Sequence, residues 1–401
     1  MSENINHPDH PDPFPPIEDS ESGETYSSIR SLRELIDLAS GRAQREAIPQ
    51  EDSRLAEILP FPFLGLVGQM EMKIALLLAL INPAINGVLL LGPRGTGKTT
   101  AVRSLLDLLP EIERSACFYG CMPEDIQAGG IDAVCPDCAR KYAEGLPLTI
   151  KDRVRLVELP LNAKLEDVVG GLDDRALFHE KVRLKRGILA QADRNILFID
   201  EVNLLGDDII DATLDAASQG SYTVHRGPIT ATYNARFNLI GSMNPEEGNL
   251  RPQIMDRFGL RVIVKGLPEA RDRLDAYQRV RSYLTNPHQM IIQYQSETEL
   301  ASNEILTARK LLPSVNIPTE IAHFGIKIIQ HLHIDSLRAD ITLFEAARAY
   351  AAANNRSQVE LADIKMVALM SLRLRRSSFM TQYFIDQTSE DNDIETAFNN
   401  L

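Results

Sequence analysis

Positive charge is in short supply in this sequence. Lys and Arg number 42 against 56 Asp and Glu, a formal charge of -14 with a pI near 5.1, which argues against a sequence-independent grip on phosphate backbones. No strip of basic residues interleaved with aromatics is present either, so nucleic acid is not an expected partner. Long hydrophobic runs are missing too. The most apolar stretch, Ile74 to Leu91, is interrupted by Asn82-Pro83 and Asn86-Gly87; each piece is too short to cross a bilayer, and no membrane span is predicted. No basic n-region with an apolar run opens the chain, so nothing resembles a secretory signal and the expected compartment is the cytoplasm. Cysteine is confined to four positions, which in that compartment are not expected to form structural disulfides.

What is present is the balance of a globular protein: 44% hydrophobic residues with 24% charged. At 401 residues the chain exceeds the usual size of one hydrophobic core, and two compact units plus tails are expected. Met1 to Thr25 carries seven acids, no Lys or Arg, and prolines at 8, 11, 13, 15 and 16, a composition that reads as a disordered tail. Ile29 to Leu38 has the spacing of a short amphipathic helix, and residues 1–58 as a whole precede the folded part.

From about Leu59, short β-type runs alternate with helical stretches: Gly87–Leu91, Arg155–Leu159, Ile196–Ile199, Phe237–Ile240 and Leu260–Val264. This pattern predicts an α/β domain over 59–299, a largely parallel sheet flanked by helices. Past about Leu300 the helical periodicity of ITLFEAARAYAAANN and LADIKMVALMSLRLRR takes over, predicting an all-helical domain over 300–385. Residues 386–401 read as a frayed end.

Gly92 to Thr99 reads GPRGTGKT and matches G-x-x-x-x-G-K-[ST], directly after the strand GVLLL and before a helical run, the context a phosphate-binding loop requires. Glycines let backbone N–H groups turn inward around phosphate oxygens; Lys98 neutralises the β and γ phosphates, and Thr99 ligates Mg²⁺. About a hundred residues on, ILFIDE delivers Asp200 and Glu201 at the C-terminal edge of a strand, where α/β sheets bind ligands. Asp200 is expected to hold Mg²⁺ and Glu201 to act as general base on the water attacking the γ-phosphate. Asn244, just after the strand FNLIGSM, could orient that water or simply serve a turn. Arg251 and Arg257 follow, and an arginine inserted into a neighbouring subunit's site can stabilise phosphoryl charge.

Together the phosphate-binding loop, IDEVNLL (Ile199–Leu205), ARFNLIGSMNPEEG (Ala235–Gly248) and LRPQIMDRFGL (Leu250–Leu260) resemble the I subunits of magnesium chelatase, which are AAA+ ATPases. FPFLGLVGQMEMKIALLLALINP and VELPLNAKLEDVVGGLD are similar to that family as well, and the resemblance runs from about Phe61 to Arg376. It implies a P-loop AAA+ domain followed by a helical lid. Gly92, Pro93, Arg94, Gly95, Thr96, Gly97, Lys98, Thr99 and Thr100 would form Walker A, with Asp200 and Glu201 as Walker B and Asn244 as sensor 1. Arg257 would be an arginine finger donated across a subunit interface. Arg338, within DSLRAD, would be the sensor 2 contact to the γ-phosphate from the lid. ATP and Mg²⁺ are the implied cofactors. The implied assembly is a hexameric ring of this chain that drives a D subunit, itself AAA+ with an integrin-I domain, and a porphyrin-binding H subunit. Its ATP hydrolysis would be coupled to Mg²⁺ insertion into protoporphyrin IX in chlorophyll biosynthesis.

Cys117, Cys121, Cys135 and Cys138 are spaced C-x3-C-x13-C-x2-C within an expected insertion at about 115–150. Four ligands so spaced suit tetrahedral Zn²⁺; an iron–sulfur cluster and unligated thiols are the other two readings. Similar cysteines occur in less characterised chelatase-like ATPases, including I–D fusions assigned to cobalt. A cobaltochelatase-type or MoxR-like ATPase that remodels another metal-handling protein is therefore the alternative, although NPEEGNLRPQ favours the magnesium chelatase type. A scaffold that binds ATP without turnover would lack Glu201 or Arg257, and both are present. His323, His331 and His333 are expected to be packing or surface residues, since nothing completes a ligand set. The run Arg373–Arg376 reads as a solvated face at a helix end.

Overall fold

The computed structural model describes residues 59–109, 111–117, 120–172, 184–226 and 229–376. The expected tails at 1–58 and 386–401, with the helix at 29–38, lie outside the described residues. Helix α1 (Met70–Ile81) leads through a turn capped by Asn82 into β1 (Val88–Leu91), and the phosphate-binding loop then enters α2 (Lys98–Arg103). The cysteine-bearing insertion follows: β2 (Glu111–Ser115), α3 (Pro123–Gly129), α4 (Pro136–Ala143) and β3 (Thr149–Arg153). Next come β4 (Leu156–Glu158), the short pair β5 (Gly170–Leu172) and β6 (Leu184–Arg186), and β7 (Ile196–Ile199). Helix α5 (Asp207–Gln219) ends on Gly220, whose φ of 68° suits a left-handed C-terminal cap, and opens a hairpin of β8 (Ser221–Arg226) and β9 (Ile229–Asn234). The chain then returns through β10 (Asn238–Met243), α6 (Pro252–Arg257) and β11 (Leu260–Ile263).

All five runs expected to be strands join one parallel sheet in the order β11-β1-β10-β7-β4. Its central strands are buried on both faces, as parallel strands between helices must be, and their side chains divide by alternation. Val88, Leu90, Ile196, Phe198 and Ile240 face one core; Leu89, Leu91, Leu197, Ile199 and Leu239 face the other, where Ile209, Ile210 and Leu214 of α5 cover them.

The helical portion comprises α7 (Ala270–Thr285), α8 (Pro287–Leu311), α9 (Thr319–His331), α10 (Leu337–Ala353) and α11 (Leu361–Leu372). It begins at Ala270, and the expected boundary near residue 300 falls inside α8. That helix is continuous because Asn286 caps it, its side chain accepting from Gln289 N at 3.1 Å, with Pro287 in the first turn. Ala339, Leu343, Ala346 and Ala347 of α10 share one core with Leu76, Leu80 and Ile85 and the adjoining sheet face. Small alanines let α10 approach closely, so the helical portion is packed onto the α/β core.

The run Arg373–Arg376 is a solvated face only in part: Leu374 and Arg376 are exposed, while Arg373 and Arg375 are drawn into ion pairs. Leu374 takes a φ of 58°, the chain turns back after α11, and the Arg375 side chain is fully buried, donating to Asp256 Oδ1 at 2.7 Å and to the carbonyls of Gly259 and Ser371. Arg261, also fully buried, meets the same carboxylate at 3.4 Å. The histidines at 323, 331 and 333 are exposed, on or just after α9.

Candidate active site

The loop Gly92–Gly97 turns sharply off the C-terminal end of β1. A Cβ at Gly92 would meet Val264 O at 2.1 Å, and Gly97 takes a φ of 85° where it opens α2; both positions call for glycine. Lys98 is almost buried, and its Nζ donates to the carbonyls of Gly92 at 2.6 Å and Pro93 at 2.8 Å. Burial pushes its ammonium below the usual lysine range, while Asp200, Glu247 and Glu201 pull it back up. Loss of hydration thus leaves Lys98 seeking anions, which is what a phosphate-binding lysine requires.

Thr99 Oγ1 donates to Asp200 Oδ2 at 3.1 Å, joining the two expected Mg²⁺ ligands. The other carboxylate oxygen of Asp200 accepts from Ser242 Oγ, which also accepts from the backbone N–H of Glu201 at 3.1 Å. Ser242 reaches both because β10 pairs with β7 in a register that sets Gly241 opposite Ile199, one step before each functional residue. Glu201 sits at φ 57°, ψ 55°, a conformation costly for a residue with a side chain and concentrated at functional sites. Arg94 contacts Glu201 at 3.4 Å and also pairs with Glu247. Asn244 is buried; its Oδ1 accepts from Glu246 N at 3.2 Å, so it caps the turn Pro245–Glu247 while also lining the cleft.

These residues line a polar cleft of about 230 Å³ that includes Lys98, Thr99, Asp200, Glu201, Ser242 and Asn244. Gly95, Thr96, Gly97 and Thr100 are shared with a second, mainly apolar cleft of about 380 Å³, walled by Phe61, Leu66, Val67, Leu267 and Val280. A polar half joined to an apolar half fits a triphosphate joined to a base. Ser242 and Glu247 lie within ARFNLIGSMNPEEG, and Phe61, Leu66 and Val67 within FPFLGLVGQM, but the sequence assigned none of them a role.

Arg257 and Arg338 are not at this cleft. Arg257 pairs with Asp215 at 2.8 Å and Asp211 at 3.2 Å on α5, and half-exposed Arg338 pairs with Asp256 at 3.5 Å. Both line a small recess with Asn86 and Asp215, at the N-terminal edge of the sheet. From Asn86 to Gly92 the chain spans roughly 20 Å at ~3.3 Å per residue, so one bound triphosphate cannot touch Lys98 and these two arginines of the same chain. Arg251 is exposed and pairs with Asp207.

The four cysteines do come together. Their sulfur atoms all lie within 4.8 Å of one another, with Cys121 and Cys138 buried, and none is in a disulfide. The hydrogen bond shared with Cys117, then burial, raises the Cys121 thiol, and burial with the neighbouring thiols lifts Cys138 to about 12. Thiols so crowded give up their protons to solvent when a cation binds in their place. Among the described residues this is the one metal-competent group of its kind.

A family model described as "Magnesium chelatase, subunit ChlI" matches residues 171–268, and one described as "AAA lid domain" matches 326–397. A magnesium-chelatase subunit ChlI homolog of Methanocaldococcus jannaschii is 43% identical over 80% of this chain and 87% of its own length. The magnesium-chelatase subunit ChlI of Synechocystis sp. is 41% identical over 79% and 88%. A solved structure assigned as an ATPase, from Cytophaga hutchinsonii, shares the fold with a TM-score of 0.51 at 19% identity, over 77% of this chain and 83% of that one.

Proposed function

Given that the chain belongs to the magnesium chelatase subunit I family of AAA+ ATPases, we propose that it is the ATP-driven motor that powers Mg²⁺ insertion into protoporphyrin IX by partner subunits. The observation that carries this reading is the meeting of Lys98, Thr99, Asp200 and Glu201 at one cleft that opens onto an apolar one.

The loop backbone and Lys98 hold the β and γ phosphates. Thr99 and Asp200, hard oxygen donors 3.1 Å apart, suit Mg²⁺, which when bound offsets the charge of the phosphoryl oxygens. Glu201 accepts the proton of the attacking water, and Asn244 orients that water. Ser242 fixes the carboxylate of Asp200 and the backbone of Glu201 in register.

The far-edge position of Arg257 and Arg338 supports their donation into the site of the next copy, with Arg257 as the finger. A hexameric ring of this chain follows from the family, as do a D-type partner with AAA+ and integrin-I domains and a porphyrin-binding H-type partner. Structural Zn²⁺ at the four cysteines joins ATP and Mg²⁺ as a cofactor, and a reducing compartment such as the cytoplasm suits thiols held as ligands.

The test is Glu201→Gln together with reconstitution. The variant is expected to bind ATP and lose hydrolysis, and the wild-type chain, mixed with the D- and H-type subunits of its own host, to drive Mg²⁺ insertion. Wild-type turnover by the variant sinks the assigned base. Turnover by the wild type without insertion keeps the ATPase and overturns the chelatase role.

A further inference from the structure

The insertion between β2 and β3 has a core of its own, consisting of Cys121, Ile126, Cys138 and Leu148 with Val134, Cys117 and Cys135 against them, separate from the two cores of the sheet. A core that small cannot hold such a segment by burial alone; units of this size are normally stapled. Here the cysteines form the centre of the core.

Their placement is prepared by the backbone. Gly120 N–H bonds to Cys117 O at 2.9 Å, closing the turn between the first pair. Ser115 Oγ accepts from Cys117 N at 3.1 Å and donates to Cys121 O at 2.8 Å, binding the two ends of that turn together. Cys135 precedes α4 and Cys138 lies in its first turn, so one helix start supplies the second pair. Cys135 N–H points at Cys121 Sγ across 3.3 Å, the backbone support that thiolate ligands commonly receive.

The sulfur spacing separates a single tetrahedral ion from a cluster. Four thiolates around one Zn²⁺ at ~2.3 Å stand ~3.8 Å apart along each tetrahedral edge. Cys117 Sγ lies 3.5 Å from Cys135 Sγ and 3.9 Å from Cys121 Sγ. A cubane iron–sulfur cluster spreads its thiolates around a much larger inorganic core, for which a group closed to within 4.8 Å has no room. Both sulfur–sulfur separations are also far longer than the ~2.05 Å of a disulfide bond.

We propose that Cys117, Cys121, Cys135 and Cys138 bind a single Zn²⁺ as a closed tetrathiolate, and that this ion is what folds the insertion onto the ATPase domain. The inference deepens the cofactor reading above and does not depend on which partners the motor serves. The thiols release their protons to solvent as the ion binds, and with all four positions filled by protein the site is structural, with no open coordination for a substrate.

The test uses the full-length chain purified without added chelator. Elemental analysis is expected to find about one zinc per chain, the stoichiometry of a closed four-ligand site, with no iron or acid-labile sulfide. Growth on cobalt is expected to give the intense visible bands of tetrahedral thiolate-bound Co²⁺. A thiol reagent is expected to find the cysteines protected until a strong chelator is added, whereupon four thiols react and zinc appears in solution together. Cys138→Ser should retain well under half of the wild-type zinc; should that variant fail to fold, the chelator titration of the wild type decides alone. Zinc-free protein with four freely reactive thiols, two disulfides, or iron with sulfide would each overturn the proposal. ATP turnover measured on the same preparation shows whether the motor reading stands when the metal reading falls.

Discussion

The hydroxyl of Ser242 donates to Asp200 across the β10–β7 boundary, so the carboxylate expected to hold Mg²⁺ is aimed by a neighbouring strand. With Thr99 on its other oxygen at 3.1 Å, Asp200 has little rotational freedom. Ser242→Ala is expected to lower ATP turnover roughly 10–100-fold, the usual effect of losing a ligand's orienting partner, and to shift the Mg²⁺ titration upward. Nucleotide binding measured without Mg²⁺ should be unchanged. Unaltered turnover at limiting Mg²⁺ would remove the serine from the site.

Arg257 and Lys98 belong to different copies of the site if the arginine is donated across an interface. Arg257→Ala and Lys98→Ala chains should each be inactive alone and regain part of the activity when mixed, because some interfaces then combine an intact arginine with an intact lysine. Arg338→Ala mixed with Lys98→Ala should behave alike. Mixed assemblies that form, as seen by co-purification of differently tagged chains, yet stay inactive would refute the shared site.

Asp256 answers two fully buried guanidinium groups, Arg261 and Arg375. Burial alone would raise its carboxyl, yet the Ser336 hydroxyl and the two arginines hold it below the usual range, and burial with the neighbouring Arg375 brings Arg261 down to about 10. Asp256→Ala leaves buried positive charge uncompensated and should cost about 3–5 kcal/mol, read as a large fall in thermal midpoint. Arg338→Ala, whose side chain is 55% exposed, should move the midpoint little. Equal effects of the two would contradict the buried network.

Burial lifts the Asp107 carboxyl from its ordinary 3.8 to about 6, against the pull of Arg153. A raised pKa means the folded state resists ionisation: the penalty is absent below about pH 3.8, grows as pH rises toward 6 and is complete above it. Asp107→Asn should therefore raise the thermal midpoint at pH 7.5, with the gain shrinking toward nothing near pH 4. A gain independent of pH would mean that ionisation of Asp107 is not its source.

Much of this was readable from the chain. The five strands were legible because each is a short, continuously apolar run, the mark of a strand covered on both faces, and GPRGTGKT was legible because its fixed spacing reflects a loop only glycine can build. Ser242 was not, because its importance comes from the register between β10 and β7, and no spacing in FNLIGSMN encodes a neighbour forty residues away. The apolar cleft was hidden for the same reason: Phe61 and Val280 meet only after folding. The helix at Ala270–Thr285 was not legible because α7 buries no side chain, leaving the periodicity there without a core to answer. RLRR looked like any charged helix end; what sends Arg375 inward is a backbone reversal at Leu374 that composition does not announce.

The separation of Lys98 from Arg257 and Arg338 by the length of the sheet gives each copy two unlike halves, one at either end. A contact that joins unlike surfaces leaves a free half at each terminus unless it closes on itself. If the arginines complete the neighbour's site, an open arc of n copies contains n − 1 working sites, a closed ring n, and an isolated copy none. Activity per chain should rise with concentration and level off at closure, and a single defective copy in a ring should silence the interfaces on its two sides by different means, one through its lysine and the other through its arginines.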